Sequence, residues 1–182
     1  MAKDKLQDYI IRMAAEAGTK AALEAYAKEK EKEKKRRSDR RLRDTKRLMK
    51  NYREIKIHAG DAVTSLTEVE AEDYDFFQRL MEDKHDVDVD AIVSSKAKSA
   101  IMLAHIDAML SAYQTICMSS KKPEEQRRYR VLESLCLKDK EEQVWDIADR
   151  ESVDARTIYR DFDAACEKMS ALLFGIQWIE RD

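Results

Sequence analysis

Two arginines one helical turn apart, Arg156 and Arg160, with Thr157 and Tyr159 between them, are the residues whose types and spacing carry the clearest chemistry in this chain. A guanidinium is a planar fork of fixed donors that matches two neighbouring acceptors, such as those on a guanine edge or a phosphate, and adjacent hydroxyls add single contacts. At 100° per residue, positions 156 and 160 lie about 200° around a helix from Ile158. A helix that buries Ile158 therefore turns both arginines outward, with Thr157 at the flank. Upstream, Arg127, Arg128 and Arg130 form a second cluster of the same donors.

The elements that must hold these groups are legible around them. Asp154 is a helix N-cap residue, and behind it Ile158, Phe162, Ala165, Met169, Leu172 and Leu173 keep helical spacing for four turns. Before it, Asp139 and Glu142 have the N-cap and N3 arrangement that opens a short helix through Val144, Ile147 and Ala148. Glu151-Ser-Val-Asp154 is the turn. Small Ala148, with Val153 and Ile158, lets the two helices cross closely, so the expected unit is a helix-turn-helix over residues 144–174.

These residues also carry a resemblance. Val144-Trp-Asp-Ile-Ala148, Arg156-Thr-Ile-Tyr-Arg-Asp161 and Leu172-Leu-Phe-Gly-Ile176 resemble phage late-gene transcriptional regulators of the ArpU type, whose head is similar to region four of bacterial sigma factors. Asp44-Thr-Lys-Arg-Leu-Met-Lys-Asn-Tyr-Arg53 and Ser95-Lys-Ala-Lys-Ser-Ala-Ile-Met-Leu-Ala-His-Ile106 resemble further segments of the same proteins. The resemblance implies that Arg156, Thr157, Tyr159 and Arg160 contact double-stranded DNA in the major groove and that the chain activates phage or prophage genes. It departs from the pattern at Asp154, where such regulators often carry Ser: aspartate caps the helix but repels phosphate.

One proline and three glycines in 182 residues, against abundant Ala, Glu, Lys, Arg, Leu and Met, predict an all-α protein. Three parts are expected: a basic, helical N-terminal segment over 1–60, an acidic linker and central core helix over 61–122, and the helix-turn-helix domain over 123–182. Leu6, Ile10, Met13 and Ala17 give the first part a short helix-pairing stripe, which Leu23 and Tyr26 continue past Gly18. Leu48, Met49, Tyr52, Ile55, Ala59 and Val63 read as one helix with Gly60 as its C-cap. Thr67-Glu-Val-Glu70 has capping-box spacing before Phe76, Phe77, Leu80 and Met81. In the central helix Ile101, Met102, Ala104, Ile106, Ala108, Met109, Tyr113 and Ile116 cover more than one face, the pattern of an enclosed helix. Pro123 then starts another, with Tyr129, Leu132, Leu135 and Cys136 inward.

The formal net charge is only -2, but its distribution is uneven. Residues 28–56 hold 15 Lys/Arg against 6 Asp/Glu, residues 61–90 hold 11 acids against 2 bases, and residues 124–182 hold 10 Lys/Arg against 15 acids. An acidic reading head has little counterion-release affinity of its own. The basic block, freed from the acidic one, a second copy of the chain, or RNA polymerase must supply grip.

Enzymatic chemistry lacks its minimal parts: there is no glycine-rich phosphate loop, Cys-x-x-Cys pair or His-Glu-x-x-His. No catalytic residue, metal or cofactor is expected. His58, His85 and His105 are scattered, and Trp145 and Trp178 read as core and docking residues. Cys117, Cys136 and Cys166 are odd in number and fall in helical patterns, as reduced core thiols do. With no long apolar run or leader, no membrane contact is expected, and the location expected is the bacterial host cytosol at the nucleoid. Rival readings are a small terminase-like DNA-packaging subunit and a helical adaptor that binds no DNA.

Overall fold

A computed structural model describes residues 2–60, 92 and 96–175. Expectations for the acidic block, the Thr67-Glu-Val-Glu70 capping box, Val63, His85 and Trp178 lie outside the described residues. Those described are all-α, without a strand: α1 (Ala2–Lys50), α2 (Tyr52–Ala59), α3 (Lys96–Ser119), α4 (Pro123–Leu132), a π-turn (Glu133–Leu137), α5 (Val144–Glu151) and α6 (Ala155–Phe174). The chain forms two compact units, Met1–Asp39 and Arg40–Asp182.

In the first unit the helix continues through Gly18, and the described side chains up to Arg36 are exposed, Met13, Leu23 and Tyr26 among them. With no apolar side chain buried among those described, local pairs support it: Arg12 with Glu16, Lys32 with Glu29 and Arg37 with Glu33, the spacings at which helical side chains meet.

The second unit holds the core. Leu48 and Met49 of α1, Tyr52, Ile55 and Ala59 of α2, and Ile106, Leu110, Tyr113 and Cys117 of α3 are buried together with α4 and α6. Asn51 separates α1 from α2, so the single helix expected there carries a break, while Gly60 C-caps it at φ 34. Tyr52 Oη donates to Asp107 at 2.8 Å, joining α2 to α3. Arg41 stacks its guanidinium 4.3 Å from the Phe174 ring centroid, and Lys46 pairs with Asp163 at 2.7 Å, so the end of α1 is tied to α6 at two points.

α3 is less enclosed than its sequence suggests. Met102, Ile106 and Tyr113 are buried, but Ala104, Ala108 and Ile116 are exposed because α2, α4 and α6 leave one face open. Its stretch Lys98–Ser119 has the length and mean hydropathy, 1.2, of a marginal membrane span, and about a third of it is buried in the core.

Pro123 occupies the first turn of α4, and Tyr129, Leu132 and Cys136 point inward. The helix then widens: Lys138 N–H bonds Glu133 O at 3.1 Å, five residues back. Arg53 of α2 caps this π-turn, its Nε and Nη2 donating to the carbonyls of Lys138 at 2.6 Å and Leu135 at 2.9 Å.

A candidate nucleic-acid interface

The expected capping box at Asp139 and Glu142 is absent. α5 starts at Val144 after Gln143, because the Glu142 carboxylate is taken by Lys138 and Arg150, which together hold it below the ordinary glutamate range. Arg150 also donates to Ser134 Oγ at 2.7 Å, anchoring α5 to the π-turn. Ile147 and Ala148 face the core, as the spacing predicts. Trp145 does not; the inward face of α5 runs through Val144, Ile147, Ala148 and Glu151, leaving the indole 70% exposed.

Three residues join α5 to α6. Ser152 adopts the left-handed conformation at φ 55, ψ 45, and Val153 N–H returns to Ala148 O at 3.0 Å, closing the helix end. Asp154 then caps α6. Its Oδ1 accepts from Thr157 N–H at 3.0 Å and its Oδ2 from the Thr157 hydroxyl at 3.1 Å, and these bonds hold its carboxyl below the ordinary range. Ile158, Phe162, Ala165, Met169 and Leu173 are buried along four turns, and Leu172 is half-buried. His105 of α3 meets Leu173 O at 3.1 Å near the far end.

Burial of Ile158 fixes the rest of the first two turns. Arg156 and Arg160 are exposed, with no ion-pair partner among the described residues, and Tyr159 is 59% exposed. Thr157 is half-buried, and its one hydroxyl proton goes to Asp154, so it retains only acceptor capacity toward a ligand.

The upstream arginine cluster has a different job from the one its composition suggests. Arg130 grips Glu151 in a bidentate pair, at 2.9 and 2.6 Å, which raises the arginine's proton affinity and lowers that of the carboxylate. Arg127 meets the buried Asp161 carboxylate at 2.5 Å; Arg128 bonds Glu125 at 2.6 Å and lies 3.6 Å from Asp161. The cluster therefore braces the end of α5 and the second turn of α6 against α4. Acids 21 and 34 positions downstream consume charge that a local count assigns to a ligand.

The three cysteines are buried free thiols in helices, and burial raises the pKa of each. Comparison with protein-family models, curated proteins and solved structures finds no match for this chain.

Proposed function

We propose that the chain is a sequence-specific DNA-binding transcriptional regulator, an activator of phage or prophage genes, that reads the major groove with the N-terminal turns of α6. The observation that carries this reading is the pair of short-linked helices with Arg156, Tyr159 and Arg160 exposed opposite buried Ile158. A two-helix unit with a tight turn presents its second helix to a groove by its first residues, and two unpaired guanidinium forks there match guanine edges. The ion pairs to Glu151 and Asp161 hold that helix rigidly, as base readout requires.

The arginine cluster is not part of this contact surface, and Thr157 acts mainly through the cap. With 10 Lys/Arg against 15 acids over 124–182, the head reads more than it grips. RNA polymerase, a second copy of the chain or the exposed lysines of α1 supplies the rest.

Selection of bound fragments from the source genome, with and without RNA polymerase, tests the reading. On the selected site Arg156→Ala and Arg160→Ala each weaken binding by about 1–3 kcal/mol, the worth of a bidentate base contact, with unchanged helicity. Equal loss on random DNA makes them phosphate contacts, and no loss in the double variant removes the proposal. A ring of many subunits by native mass favours the packaging alternative.

A further inference from the structure

In the second unit, the C-terminal half of α3, the start of α4 and the C-terminal half of α6 line a half-open cavity of about 370 Å³. Its walls are apolar: Ile116, Ala171, Leu172 and the ring of Tyr113. Lys122 and Lys168 stand at its edge, and neither ammonium has an acidic partner among the described residues. Glu125, the acid of the lining, is bonded to Arg128 at 2.6 Å. The N-terminal end of α4, whose N-cap is Lys122, adds its positive dipole end to the same rim. Tyr113 is 1% exposed; its hydroxyl has no nitrogen or oxygen partner among the described residues and turns to the weak sulfur acceptor of Cys117, so only its ring lines the cavity.

A cavity of a few hundred Å³ with apolar walls and a few convergent polar groups is the usual form of a small-molecule site. We propose that this cavity binds a small amphipathic anion, its acidic head held by Lys122 and Lys168 and its apolar body against Ile116, Ala171 and Leu172. Neither lysine contributes to the core, so the site is separable from the fold. It is also independent of the DNA-reading proposal, since none of its residues belongs to that surface.

The test uses the full chain with 8-anilinonaphthalene-1-sulfonate as fluorescent probe and decanoate as competitor. Saturable binding of one probe per chain is expected, displaced by decanoate and not by decylamine. In K122E/K168E, with an unchanged melting curve, affinity for decanoate falls at least about tenfold, since two attractive charges become repulsive. Absent or unsaturable binding, equal competition by decylamine, or unchanged decanoate affinity in K122E/K168E overturns the proposal. So does a stable dimer that excludes the probe.

Discussion

Replacing Asp161 with alanine tests the claim that arginines of α4 hold α6 in place. The carboxylate is 7% exposed and faces two guanidinium groups, Arg127 at 2.5 Å and Arg128 at 3.6 Å. Removing one partner of a fully buried ion pair costs about 3–5 kcal/mol, because the other charge is stranded. Here the arginine side chains keep 22% and 27% of their exposure, so water reaches them in the variant and the expected loss is smaller, about 2–3 kcal/mol. For a unit of this size, with m of about 2–3 kcal/mol/M in urea, the midpoint falls by roughly 1 M. Urea titration followed by far-UV circular dichroism reads this directly, and Asp161→Asn, which keeps an acceptor without the charge, should fall between variant and parent. A double-mutant cycle with Arg127→Met should return a coupling above about 1 kcal/mol. A loss below about 0.5 kcal/mol with unchanged m would refute the bracing role.

Glu151 and Glu142 titrate below the glutamate value of 4.5 because their arginine and lysine partners favour the carboxylate, so their stabilisation is complete above that value. It is lost as pH falls from there through the lowered folded-state values, and Glu151→Gln should flatten the acid limb of a stability–pH curve. Ser152 sits at φ 55, where a side chain is strained and glycine is not, so Ser152→Gly should raise stability by up to about 1 kcal/mol while Ser152→Val lowers it. Thermal or urea unfolding of both variants checks the sign. Burial pushes the Cys136 thiol up to about 12 and raises those of Cys117 and Cys166, so a thiol reagent at neutral pH should label none of the three in native protein and all of them in denaturant. Asp154→Ser keeps a capping oxygen and removes a negative charge from the presenting end of α6; under the DNA reading, affinity in a gel-shift or anisotropy assay should rise.

Features that depend on periodicity were readable from the chain. The inward series Ile158, Phe162, Ala165 and Met169, the cap at Asp154, the glycine stop at Gly60 and the proline start at Pro123 each follow from local rules, and the structure carries all of them. What was not readable depended on distant partners. Glu142 has the spacing of a capping residue, but Lys138 and Arg150 outcompete the backbone for it. Arg127, Arg128 and Arg130 look like a ligand patch until Glu151 and Asp161 arrive from later in the chain. The exposed indole of Trp145 and side chain of Ile116 show the converse: apolar type predicts burial only where a neighbouring helix supplies the cover. In the candidate site, helical phase alone fixes the outward arginines, whereas Thr157's spent proton needed coordinates.

The π-turn at Glu133–Leu137 amounts to a spare residue lodged in the last turn of the helix that α4 begins, just before the irregular residues 138–143. A chain shortened by one position within it could close the ladder regularly, because the wide turn absorbs its extra residue locally instead of passing it on as rotation. Arg53 would lose the carbonyls it now holds, while the pairs of α4 with Glu151 and Asp161 would still set the direction of the α6 arginines. The extra residue is thus a local accommodation, and its removal would be felt first at the contact with α2 rather than at the outward face of α6.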